Sequence, residues 1–205
     1  MARRAAVLAL VVLGAVASSA SATVMVEIAL EDMIRDSVAI VHGRVIHSGT
    51  QMVIGDGTMD PHTVTTLEVD RWLKGDSDAT TVLIRELGGT YGRNGRGGGM
   101  WIDGTPRYQV GEEVIVFLGY DPDDPDYFRT MQLAQGKFVV IHGVGGAPAA
   151  VARDTAAIAF AEWTNGRMTL RHGGRDMIEL QTFVDLIRNV IEIPGGETHT
   201  VGGGR

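Results

Sequence analysis

The sequence predicts a mainly β fold with one helix near each end, and three observations carry that expectation. Dense β-branched runs recur about every ten to fifteen residues from Val38 to Ala152 with no helical pattern between them. Apolar residues at helical spacing occur only in Val26–Arg35 and again from Leu180 to Ile191. Clusters of Gly, Asp and Pro punctuate the runs, and the 28 glycines in 205 residues are about twice ordinary usage. Such spacing favours an antiparallel barrel or sandwich over a doubly wound sheet, and the length suits one domain.

The elements follow in chain order. Residues 1–22 read as an export signal: Arg3 and Arg4 lead, Ala5–Ala17 is an apolar run, and Ala20-Ser21-Ala22 closes on small residues. A membrane span needs about 20 apolar residues, and this run has thirteen. The expected mature chain starts at Thr23, is secreted or periplasmic, and carries no membrane span after cleavage. It divides into one β-rich domain with flanking helices, 23–193, and a disordered tail, 194–205. Without the signal, roughly 180 residues are enough to bury a sizeable core.

Val26–Arg35, with apolar positions 26, 29, 30 and 33, predicts a short amphipathic helix. Val38–Ile46 predicts a buried strand, 48–61 a loop broken by Gly-Asp-Gly and Asp-Pro, and Thr63–Leu73 a long strand. Thr80–Leu87 follows a Lys-Gly-Asp-Ser-Asp turn, and 88–104 is a loop with eight glycines. Glu113–Gly119, Tyr127–Leu133, Lys137–Ile141 and Ala149–Ala152 continue the strands. Asp176 with Glu179 resembles a capping box for the closing helix, which Pro194 ends.

Composition excludes several chemistries. A net charge of −7 argues against nucleic acid as a partner, because phosphate contacts need a basic face. With no cysteine there is no disulfide, thiolate zinc site or cysteine nucleophile. The Gly-rich stretch matches neither a P-loop nor a dinucleotide fingerprint. Its candidates for partner contact are Arg93, Arg96 and Trp101, since Trp and Arg most often anchor interfaces. The acidic turn offers Asp121, Asp123, Asp124 and Asp126 as weak candidate calcium ligands, but it lacks the Gly and Glu of an EF-hand. His42 and His47 are five apart, so strand alternation points them to opposite faces. No serine lies in a nucleophile elbow, and no catalytic set or cofactor motif emerges.

Four stretches look familiar together: LEDMIRDSVAIVHGRV (30–45), VDRWLKGD (69–76), GTPRYQVGEEVIVFL (104–118) and QGKFVV (135–140). They resemble a loosely defined group of uncharacterised exported bacterial β-domain proteins. The Leu-Lys-Gly turn and strand order are also distantly similar to the OB-fold of tissue inhibitors of metalloproteinases. The resemblance covers about 28–142 and implies a small antiparallel barrel of OB-like type. Those inhibitors act through an N-terminal cysteine, which this chain lacks, so their mechanism does not carry over. The expected function is a non-catalytic binding or interaction role in the cell envelope, toward an unknown exported protein or ligand. A protease-inhibitor-like module and a hydrolase with a scattered metal or carboxylate site are the alternatives.

Overall fold

A computed structural model of the protein describes residues 23–55, 58–75, 78–93 and 96–193. The expected export signal, 1–22, and the expected tail, 194–205, lie outside the described residues. The fold is mainly β and ends in a helix. Its strands are β1 (Thr23–Met25), β2 (Ala39–Gly55), β3 (Thr58–Lys74), β4 (Thr81–Leu87), β5 (Gly89–Arg93), β6 (Arg96–Met100), β7 (Glu113–Tyr120), β8 (Phe128–Thr130), β9 (Lys137–Ile141), β10 (Ala150–Asp154), β11 (Ile158–Thr164), β12 (Arg167–His172) and β13 (Arg175–Glu179). The helices are α1 (Leu30–Asp36) and α2 (Leu180–Glu192).

Eight strands form one sheet in the order β13-β10-β9-β7-β2-β3-β4-β8, and β8 also pairs with β7. Most neighbours run antiparallel, but β8 meets β4 in parallel through Ile84 and Phe128. A second sheet, β1-β11-β12, includes a parallel pairing of β1 with β11. The expectation of a purely antiparallel arrangement is therefore corrected to a mixed one.

Strand β7 explains where the core lies. Its sequence EVIVFLGY lacks polar alternation because both faces are covered. Ile115 and Phe117 point to one apolar cluster with Ile40, Phe138, Phe183, Val184 and Ile187. Val114, Val116 and Leu118 point to the other, with Val41, Val45, Leu67, Val82 and Ile84. Helix α2 supplies Phe183, Val184, Ile187 and Val190, a helical stripe pressed onto the sheet. Each fully buried side chain of this size contributes about 1.5–3 kcal/mol.

Several expectations change. The N-terminal helix does not begin at Val26: Ala29 is still extended at φ −63°, ψ 144°, and only Leu30–Asp36 is helical. Met33 and Ile34 are its buried residues. Residues 48–55 and 58–61 are not a loop; β2 and β3 continue through them as an antiparallel pair, while Asp56 and Gly57 lie outside the described residues. The strands pair up to Gly55 and Thr58, on either side of the Asp-Gly pair. The Gly-rich stretch is likewise an antiparallel ribbon, β5 against β6, and not an irregular loop. The strand read over 127–133 is only Phe128–Thr130, because Gln132 and Leu133 adopt φ of 51° and 56° and lead into a 3₁₀ turn. Asp176 does not cap α2; it belongs to β13, and Glu179 is the cap, its carboxylate accepting from Gln181 N and Thr182 N.

Candidate functional site

The end of β4 and its continuation build the site. Gly88 and Gly89 take φ of +109° and +152°, and a side chain at Gly89 would collide with Thr50 at 2.6 Å. This lets the chain leave β4 closely against β2 and β3. Gly88 N donates to Pro61 O at 2.8 Å, Thr63 Oγ1 donates to Gly88 O at 2.8 Å, and Thr90 N donates to Thr50 Oγ1 at 3.2 Å. The ribbon β5-β6 then returns the chain to residues 101–109. Between that segment and the strands is a cleft of about 390 Å³, lined among others by Ser48, Thr50, Glu86, Trp101, Arg107 and Tyr108.

Trp101 presents a half-exposed indole to this cleft, and the Arg107 guanidinium stacks 4.5 Å from its ring centroid. Such a cation over an indole face fixes the ring's orientation. Deeper in, Tyr108 is buried with its hydroxyl 2.6 Å from Thr130 Oγ1. The Glu86 carboxylate accepts from Thr130 N at 2.8 Å. Burial pushes Glu86 up to about 7, although its bonds to Thr130 and the charge of Arg129 oppose that. Burial also raises the Tyr108 hydroxyl well above its usual range, with the Glu86 charge adding to it. The floor of the cleft therefore holds a carboxyl group that exchanges a proton near neutrality.

Of the residues singled out from the sequence, Trp101 lines the cleft. Arg93 and Arg96 face each other in register at the far end of the ribbon. Four residue steps separate Arg96 from Met100, about 13 Å of strand, so the backbone does not bring the three candidates together. The acidic turn is neutralised from within. Asp121 is buried and receives Arg85 Nε at 2.7 Å and Arg129 at 3.2 Å. Arg129 also holds Asp123 at 2.8 Å, Arg85 reaches Asp124 at 3.5 Å, and Asp126 N donates to Asp124 Oδ1 at 3.1 Å. The charge a calcium ion would supply is thus met by two guanidinium groups. Burial opposes ionisation of Asp121, but these bonds keep its carboxyl below the usual range. No group of three or more His, Asp or Glu side chains among the described residues is arranged to hold a metal ion.

The histidine argument also needs correction. Register shifts interrupt β2 between His42 and Gly43 and between Val45 and His47, so simple alternation does not relate His42 to His47. His42 instead faces Glu113, with Nε2 2.9 Å from Oε1, and His142 Nε2 lies 2.9 Å from Oε2. Arg44 approaches the same carboxylate at 3.0 Å. Burial disfavours the Glu113 charge, yet the two histidine bonds hold its carboxyl below the usual range.

Sequence reasoning missed Glu86, Arg107 and Tyr108. One signal was present: Arg85-Glu86 interrupts the otherwise apolar TVLIREL of β4. Charged residues inside such a strand must be paired or functional. Against known proteins, the chain matches no family model, no curated protein and no solved structure.

Proposed function

We propose that this chain is an exported, non-catalytic binding protein of the cell envelope whose ligand enters the cleft between β4 and residues 101–109. Export rests on the charged, apolar and small-residue order of residues 1–22. A small OB-like barrel is supported by the pairing of β7, β2, β3, β4 and β8, in which β8 bonds to both β4 and β7. Binding is carried by one observation: an exposed, arginine-clamped Trp101 and a buried Glu86 carboxyl line the same cleft. An aromatic surface beside a few fixed polar groups is the usual make-up of a ligand site.

The test is a screen of neutral sugars and blocked dipeptides against ¹⁵N-labelled protein. Hits should move the Trp101 indole N–H together with the amides of Leu87, Gly88 and Thr90. Trp101→Ala should abolish those shifts while leaving the melting temperature within a few degrees. Shifts scattered over the surface, or a silent cleft, would overturn the reading.

One observation favours the hydrolase alternative. A carboxyl near 7 in an open cleft is what a general acid or base requires. Glu86→Gln separates the two: a binding site loses no more than about tenfold in affinity, the worth of one altered hydrogen bond, whereas a hydrolase loses turnover.

A further inference from the structure

Three ionisable residues line the Trp101 cleft: Glu86, Tyr108 and Arg107. Tyr108 keeps its proton, because burial raises its hydroxyl well above the usual range. Glu86 lies at the floor and keeps its proton below about 7. Arg107 is exposed at the mouth, and a guanidinium is cationic at any ordinary pH. That guanidinium rests over the Trp101 ring and has no hydrogen-bond or carboxylate partner among the described residues. In mildly acidic solution the cleft therefore carries one unmatched charge, and it is positive.

The charges behind the cleft are matched within the chain. Arg85 and Arg129 are held by Asp121, Asp123 and Asp124, and Lys137, over the Tyr108 ring, is held by Glu112 at 2.7 Å. Asp103 borders an adjoining cavity that Trp101 does not line, and no ion pair joins it to Arg107. The ring beneath Arg107 is seated in turn against Gly99, where an added Cβ would lie 3.1 Å from Trp101 Nε1. A guanidinium that meets a ring with its face keeps its N–H groups free, because they lie in its own plane. Their fork matches the two oxygens of a carboxylate. Farther in, Thr50 Oγ1 accepts from Thr90 N and keeps its own proton to donate. The wall opposite the arginine is thus polar but uncharged.

We infer that the cleft takes a small carboxylic acid, whose carboxylate is received edge-on by Arg107 while its uncharged, polar body lies toward Ser48, Thr50 and Thr63. Trp101 acts here by holding the guanidinium in place. This inference rests on the binding role proposed for the cleft and adds the ligand's charge and chemical class. A sugar acid and the free C-terminus of a short peptide both present that chemistry, and the cleft's volume of about 390 Å³ admits either.

The test titrates two matched pairs of probes into ¹⁵N-labelled protein at pH 6 and constant ionic strength. One pair is methyl glucuronoside and methyl glucoside; the other is acetyl-Ala-Ala with a free and with an amidated C-terminus. In at least one pair the acid should move the Trp101 indole N–H with a Kd about tenfold below that of its neutral mate, the worth of a charged hydrogen-bonded contact in an open cleft. Which pair shows it separates the sugar acid from the peptide terminus. Arg107→Gln should bring the ratio of the two Kd values within twofold of one, and Arg107→Lys should leave it near threefold. Taking the ratio inside each variant cancels any loosening of Trp101 that the substitution causes. If the neutral probes bind and the acids bind no better, the inference fails while the cleft keeps its proposed role. If no probe moves the indole, both fall. A preference for the acid that survives Arg107→Gln would place the carboxylate elsewhere and overturn the inference.

Discussion

The two apolar clusters that β7 separates are built from neighbouring residues of one strand, yet they handle polarity in opposite ways. On the helix side, Phe117, Phe138 and Phe183 meet with ring centroids 4.6 to 6.2 Å apart, and α2 closes the layer. On the other side the fully buried filling is aliphatic except for Tyr108, with Trp72 and Phe128 packed at its margin, and β4 buries Arg85 and Glu86 in consecutive positions. Arg85 finds Asp121 at 2.7 Å; Glu86 finds only neutral donors. A charge buried against a partner keeps its charge, whereas one buried against neutral donors keeps its proton. The difference teaches that the helix side holds the fold together in a manner blind to pH. The strand side trades some of that security for a titrating group at the cleft.

The largest expected effect tests the first half of this contrast. Phe183→Ala empties the centre of the three-ring cluster, where Phe183 is fully buried. It should cost about 3–5 kcal/mol and lower the melting temperature by roughly 10 °C. Urea unfolding at pH 5 and pH 8 should show the same loss at both. A loss under about 1 kcal/mol, or one that differs strongly between the two, would mean the helix side is not the pH-blind anchor.

The intermediate effect tests the second half. Glu86 ionises at about 7 in the folded chain against about 4.5 for an ordinary glutamate. The folded state therefore binds its proton more tightly than the unfolded state does. The resulting stability is fully present below pH 4.5 and is lost as pH rises through 7. At 1.36 kcal/mol per unit the swing approaches about 3 kcal/mol. Glu86→Gln removes it, so the variant should gain on wild type progressively from pH 4.5 to 8. Carboxyls held low, such as Asp121 and Glu113, act in the opposite direction at lower pH. Their effect is common to both proteins and cancels in the difference. A difference curve that stays flat between pH 5 and 8 would show Glu86 to be an ordinary carboxylate.

How much of this was legible depended on whether a pattern was local. The 3.6-residue stripe Phe183, Val184, Ile187 and the unbroken EVIVFL of β7 state their burial directly; β7 forms where the sequence places it, and α2 forms from Leu180 onward, short of the cap read at Asp176. The full length of β2 and β3 was hidden by Gly55-Asp56-Gly57, since glycines that end a strand and glycines that turn a hairpin look alike. Strand β12 escaped because it is exposed throughout, leaving no apolar alternation to detect, and β11 because only Ile158, Ala159 and Phe160 of it are buried. Glu86 was illegible for a different reason. Whether it is buried, and whether Arg85 takes Asp121 instead, is decided by contacts 36 to 44 residues apart. Composition shows the charges; only the folded register shows which of them is left without an opposite.

The smallest expected effect lies outside both clusters, and it sharpens the contrast by showing where burial stops mattering. On the β11-β12 hairpin, Trp163 pairs with Met168 and Ala161 with Leu170, so these side chains share one face. Trp163 is 72% exposed, Met168 55% and Leu170 54%, so little apolar area leaves water there on folding. The other face carries the ordering contacts, with Arg171 over the Phe160 ring and paired to Glu162. Leu170→Thr introduces a β-branched residue that suits a strand and removes apolar surface only from the exposed side. Its effect on unfolding should stay within about 0.5 kcal/mol. Because an exposed apolar edge favours association between chains, the same substitution should also raise the concentration at which light scattering first increases. A stability loss above about 1.5 kcal/mol would place this face against something the hairpin packs on, and would end its description as a surface strand.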